Sequence, residues 1–169
     1  MSDSHSGLSF MRRCVDSILP DAMIHLGDYF DDGETIAEEY PNIPMYQVPG
    51  NCDMYRCSPF QKEILLETIG GVRIYMTHGH RHGVKMNTAA LLADGRKAAA
   101  AVVLYGHTHS PEANKQADGV WLMNPGACGS YGGTVGLIEI EDKKVVKCKI
   151  LYRMDLEDYH DTGSRYRKL

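Results

Sequence analysis

Two spacings of apolar residues divide this chain. Leu8, Met11, Val15, Ile18 and Leu19 recur at helical intervals, and Pro20 stops that helix. Residues 22–26 and 45–48 are short apolar runs of strand length, and residues 34–40 form a helix between them, before Pro41. Strand, helix and strand in that order predict a parallel pair. The middle of the chain then changes rhythm. Residues 61–68 and 72–77 read as strands around Gly70-Gly71, a hairpin turn. Alanine and leucine make residues 88–101 helical, and the apolar run 102–105 that follows is a short buried strand. Residues 112–116 and 120–123 flank Asp118-Gly119, and residues 135–141 and 145–151 flank Asp142-Lys143-Lys144, giving two further hairpins. The second half is therefore expected to be mostly antiparallel. One domain is expected over residues 1–154, with a polar, charged tail over 155–169.

Polar residues gather where the predicted strands end: Asp3-Ser4-His5, Gly27-Asp28, Gly50-Asn51-Cys52-Asp53, His78-Gly79-His80-Arg81-His82 and Gly106-His107-Thr108-His109. In open α/β sheets the carboxyl ends of strands are where sites form. These segments supply Asp3, His5, Asp28, Asn51, His78, His107 and His109. Imidazole with carboxylate and amide oxygen, without sulfur, suits Mn, Fe, Ni or Zn and is too nitrogen-rich for Ca or Mg alone. The set exceeds what one tetrahedral or octahedral ion takes once water is counted, and two ions sharing a carboxylate account for it. Alternate residues of an extended segment point in opposite directions, so His107 and His109 serve two adjacent ions more easily than one. Two metals about 3.5–4 Å apart are a common device for displacement at phosphorus.

Composition narrows the alternatives. A chain of 169 residues with 43% hydrophobic and 24% charged residues is long enough for one cored domain. A formal net charge of −4 argues against a nucleic-acid-binding surface. No apolar run is long enough to span a bilayer, and the polar opening does not read as a signal peptide. Cys14, Cys52, Cys57, Cys128 and Cys148 are odd in number and scattered, which fits free thiols in a reducing cytoplasm. The expectation is a cytoplasmic protein with a small-molecule partner, no membrane and no nucleic acid; a homo-oligomer stays open.

The polar segments, in this order over Met1 to about Tyr152, resemble the calcineurin-like metallophosphoesterases. The length and the Asn124-Pro125-Gly126 segment resemble the small bacterial and archaeal phosphodiesterase branch. The resemblance implies an α/β (α+β) fold: a two-sheet mixed β-sandwich flanked by helices, with metals at the strand ends. It implies that Asp3, His5 and His109 hold one divalent ion, that Asn51, His78 and His107 hold the other, and that Asp28 bridges them. Mn is the first choice of metal, with Ni, Fe or Zn as alternatives. A hydroxide between the ions would attack the phosphorus of a small phosphoester, above all a phosphodiester, in line, and Asn51 and His80 are the candidate catalytic residues. Many members place a histidine directly after Gly-Asn, whereas this chain has Cys52. A neutral thiol is a poor general acid, so proton donation falls to water or His80 and acidic leaving groups are favoured. A non-catalytic protein-binding scaffold of the same fold, as in a retromer subunit that has lost several ligands, is the alternative. A mononuclear hydrolase using His78, His107 and one carboxylate is a third reading. Here every ligand position is filled, which favours the enzyme.

The remaining polar residues have plainer readings. His25 lies inside a strand and is expected to pack; His82 follows in a loop with little claim on substrate. Asp53 is expected to brace its turn, Asp31 and Asp32 to cap a helix ahead of Glu34, and Tyr131-Gly132-Gly133 to form a turn. Cys52 and Cys57 lack the nearby partners of a zinc site. Only Met1 and Ser2 precede Asp3, whereas a typical strand has about five or six residues. The first strand is therefore expected to be missing, lying upstream of Met1, with Asp3 on a frayed end between two exposed strand edges.

Overall fold

Helix α1 (Leu8–Ile18) forms where the apolar spacing places it, and turns Phe10, Met11, Cys14 and Val15 inward. Leu19 ends it in a left-handed conformation, one residue before Pro20. The computed structural model describes residues 1–129 and 133–157. Strand β1 (Met23–His25) pairs in parallel with β2 (Met45–Gln47), joined by α2 (Phe30–Glu39) as the strand–helix–strand order predicts. Next come β3 (Ile64–Ile69) and β4 (Val72–Thr77), an antiparallel hairpin turning on Gly70 and Gly71, both at positive φ. Helix α3 (Ala89–Lys97) carries the chain to β5 (Val102–Leu104). Strands β6 (Glu112–Lys115) and β7 (Trp121–Asn124) form a second hairpin, and β8 (Thr134–Glu141) and β9 (Lys144–Tyr152) a third.

These strands make a five-stranded sheet in the order β3-β4-β5-β7-β6 and two two-stranded pairs, β1-β2 and β8-β9. The three hairpins make the second half mostly antiparallel as expected, and β5, parallel to both β4 and β7, makes the five-stranded sheet mixed. The reason is the α3 crossover, because only a long connection returns a strand in the same direction. Leu26, Val48, Met76, Val102, Leu104, Met123 and Cys148 pack between the five-stranded sheet and the two pairs. Outside the pairs, α1 and α2 cover Met23, Cys128, Val135 and Leu151; outside the sheet, α3 covers Tyr75, Val103 and Leu122. The architecture is the helix-flanked two-sheet sandwich expected.

Two expectations change. Asp3 is not frayed. Leu26 and Asp3 donate their N–H groups to Met1 and Gly27 carbonyls at 2.9 Å on one side, and Cys128 donates to the Ser2 carbonyl at 3.0 Å on the other. Ala127 in turn accepts the Thr134 N–H at the start of β8. A few residues thus stitch the two pairs into one layer at the end where the ligands lie, and Ser2, Asp3 and Ser4 are fully buried. Second, α2 starts at Phe30, so Asp31 and Asp32 stand in its first turn and do not cap it from outside. At the far end, Leu156 is fully buried under α1 and Glu157 pairs with Arg13 at 3.0 Å, though the sequence assigns both to the tail. The rest of that tail and the Tyr131-Gly132 part of the expected turn lie outside the described residues.

Candidate metal centre

Asp28, Asn51 and His107 each follow a glycine just past a strand end, and packing explains two of these glycines. A Cβ on Gly106 would collide with the Ser2 hydroxyl and crowd the Asp3 carboxylate, and one on Gly50 would collide with Asp28. These glycines let the ligand turns touch one another. The backbone bends sharply after them. Asp3, His5, Asp28, His107 and His109 all have positive φ, between 43° and 68°. A non-glycine residue in that region is uncommon, and such outliers concentrate at functional sites.

The turns converge. Asp3, His5, Asp28 and His109 each offer one ligand atom, all within 4.8 Å of one another. The Asp3 carboxylate is anchored by one oxygen: Oδ2 accepts from Ser2 Oγ at 2.5 Å and from the His107 N–H at 3.1 Å. Its other oxygen, Oδ1, is buried without a hydrogen bond and faces His109 Nε2 at 3.1 Å. The His5 ring lies 5.4 Å from that of His109 and meets the edge of Tyr29 at 4.9 Å.

Beside this group, His78 is fully buried and its Nδ1–H donates to the Leu26 carbonyl at 2.7 Å. That bond leaves the Nε2 lone pair facing Asn51 Oδ1 at 3.1 Å and Asp28 Oδ1 at 3.5 Å. His107 sits edge-on to His78, 5.0 Å between centroids, and His80 lies 5.4 Å from His78. Asp28 is therefore common to both groups. Electron-pair donors directed at each other, with a buried carboxylate oxygen left unbonded, are an arrangement that cations between them would satisfy. A ring nitrogen donating to a backbone carbonyl is the usual way a ligating histidine is oriented. The residues present fit divalent metals.

Electrostatics points the same way. Burial opposes ionisation of Asp28, but the Cys52 N–H donated at 2.9 Å and the neighbouring His78 outweigh it and hold the carboxyl below its ordinary pKa. Burial, then His78 and Lys85, lowers His107; burial, then His78, lowers His80. Both rings stay neutral, as ligands must be. Cys52 is the reverse case: desolvation, then Asp28, pushes its thiol up to about 11.

Two supporting residues complete the frame. Asp53, fully buried, accepts four backbone N–H groups: Asp28 at 2.9 Å, Tyr29 at 2.7 Å, Phe30 at 2.9 Å and Gly50 at 2.7 Å. It braces its turn as expected, and it also caps α2 from a distance, which is why that helix starts early. Asn124 enters the sequence reading only through the resemblance carried by Asn124-Pro125-Gly126, with no role at the site. Its amide donates to the Gly106 carbonyl and to Thr108 Oγ1, both at 2.9 Å, and holds the turn carrying His107 and His109. The one available signal was an Asn before Pro-Gly at a strand end.

Other polar residues stand apart. His25 is buried against Ser4 Oγ at 3.2 Å, and His82 lies between Asp94 at 3.3 Å and the Tyr75 hydroxyl at 3.4 Å. All five cysteines are free.

Comparison with known proteins agrees with this geometry. Residues 1–143 match the calcineurin-like phosphoesterase superfamily domain. The chain is 33% identical over 108 residues to the "probable metallophosphoesterase YsnB" of Bacillus subtilis (strain 168); the match spans 63% of this chain and 59% of that protein. A solved structure from Streptococcus pneumoniae TIGR4, described as a predicted phosphoesterase, superposes with a TM-score of 0.69 at 26% identity, covering 90% of this chain and 95% of the other. Vps29 of Entamoeba histolytica, solved in complex with Zn, shares the fold with a TM-score of 0.61 at 20% identity, over 85% of this chain and 88% of that one.

Proposed function

The chain belongs to the calcineurin-like phosphoesterase superfamily, and from that premise we propose that it is a phosphodiesterase dependent on two divalent metals, Mn first among them. The observation that carries the reading is the convergence of Asp3, His5, Asp28 and His109 beside His78 and Asn51, with Asp3 Oδ1 buried and unbonded. Asp3, His5 and His109 would hold one ion, Asn51, His78 and His107 the other, with Asp28 between. Two such ions would acidify the attacking water and neutralise charge on the phosphoryl oxygens. The chain's own part is to fix this set: Asp53 and Asn124 hold the turns, and Cys52 donates its backbone N–H to Asp28. The Cys52 thiol, pushed up to about 11, is a far weaker acid than an imidazolium and so a poor general acid for a departing alkoxide. His80, 5.4 Å from His78 with its Nδ1 buried without a partner, is kept neutral by burial, so it would relay a proton from water to the leaving group rather than give up one of its own. Diesters with acidic phenol leaving groups should be the better substrates.

A scaffold of this fold is the competing reading, and the intact ligand set favours the enzyme. Free cysteines throughout support a reducing, cytoplasmic setting. Among the described residues no helix is long and apolar enough to cross a membrane. The test is to measure bound metal, then hydrolysis of bis(p-nitrophenyl) phosphate and of a dialkyl phosphate before and after chelation and readdition of Mn. Turnover should vanish on chelation and return with Mn, with the phenolic diester cleaved far faster. Metal-independent turnover, or metal-replete protein that cleaves neither ester, would sink the reading.

A further inference from the structure

Beside the histidine cluster runs a groove of about 490 Å³, lined by Val84, Lys85, Tyr105, Thr108, Ser110 and Glu112. It borders the centre through Thr108, the residue between His107 and His109 in the chain. Lys85 is exposed and, among the described residues, no carboxylate pairs with it. The groove's acidic side chain, Glu112, spends its oxygens on neutral donors and not on Lys85: Oε1 accepts the Tyr105 hydroxyl, and Oε2 accepts the Asn114 amide at 2.9 Å. Thr108 Oγ1 accepts from Asn124 at 2.9 Å and from the Ser110 N–H at 3.3 Å, which leaves its hydroxyl hydrogen to donate. A second groove of similar size, between α1 and residues 156–157, offers no such excess. There Arg12 pairs with Glu39 at 2.7 Å and Arg13 with Glu157 at 3.0 Å.

A free cation and a free hydroxyl donor, next to a centre built for a phosphoryl group, select a second anion. We propose that this groove receives the part of the substrate beyond the scissile phosphate, and that this part carries an anionic group of the phosphate type, met by Lys85 and the Thr108 hydroxyl. The inference rests on the phosphoesterase reading above. It makes Lys85 a specificity residue: the substrate is a diester bearing a second negative group, not a neutral alkyl diester.

The probes are thymidine 5′-(p-nitrophenyl phosphate) with and without a 3′-phosphate, which differ only in the second anion. In the Mn-loaded protein, kcat/KM should be about five- to tenfold higher for the 3′-phosphorylated probe, the worth of one partly exposed charge-assisted contact. Lys85→Ala should bring the ratio to near one, Lys85→Arg should keep it, and Lys85→Glu should invert it. A second readout does not need turnover: calorimetric affinity for thymidine 3′,5′-bisphosphate against thymidine 5′-monophosphate, in the same variants. If no ester is cleaved but the bisphosphate preference holds and depends on Lys85, the groove stands and the hydrolase reading falls. Hydrolysis with neither readout dependent on Lys85 overturns the groove and leaves the hydrolase intact. If both are absent, both fall.

Discussion

A single carboxylate decides whether the two ligand groups act together. Asp28 Oδ1 stands 3.5 Å from His78 Nε2, while Asp28 also belongs to the cluster with Asp3, His5 and His109. Replacing any other ligand would weaken one group; Asp28→Ala weakens both. We expect Asp28→Ala to lower metal-dependent turnover by more than about 100-fold, beyond the usual cost of disturbing a ligand's outer support. It should also lower bound metal more than Asp3→Ala does, as read by metal analysis of the purified variants. Equal metal content in the two variants would argue against a shared carboxylate. At this scale the sequence was informative, because ligand chemistry is carried by residue type: each of the seven ligand candidates lies in or against the two groups. What residue type alone does not show is orientation. Nothing in the order of residues 1–5 tells that one Asp3 oxygen is anchored by Ser2 and His107 while the other stays free.

Elements meet at Asp53. Its carboxylate gathers N–H groups from the turn after β1, from the first turn of α2 and from Gly50 after β2. Asp53→Ala leaves these donors buried or half-buried without an acceptor, at about 1–3 kcal/mol for each that finds no water. We expect a loss of about 3 kcal/mol or more in denaturant unfolding, and metal affinity lower by about 10–100-fold. Asp53→Asn, which keeps one oxygen, should fall between. A variant that unfolds like the wild type would show that the brace is redundant. This joint explains where the sequence misleads. The spacing of α1 is local and was legible. The start of α2 is set by a residue more than twenty positions away, so no window around Glu34 contains it. The turn of the histidine segment likewise depends on Asn124, in another strand.

Across the whole molecule, the layer beneath the centre makes stability depend on pH. His25 is fully buried, and desolvation, then the N-terminal ammonium and His78, drives its pKa down to about 3 from an ordinary 6.5. The unfolded chain takes up this proton as pH falls below 6.5 and the folded chain refuses it until about 3, so stability is full above 6.5 and declines through that window. At pH 5 the loss is about 2 kcal/mol from this ring alone. Urea unfolding at pH 7 and pH 5 should show that much more acid sensitivity in the wild type than in His25→Gln; equal sensitivity would remove His25 as the cause. The stitched layer has a further consequence, in the order of folding. Ser2 bonds to Cys128, so Asp3 and His5 gain their second flanking neighbour from a residue 126 positions further along the chain. Local elements such as α1 and the β3–β4 hairpin close early, whereas contacts between distant residues form late. The segment that carries Asp3 and His5 is thus among the last to be locked in place, and the candidate metal centre is completed near the end of folding.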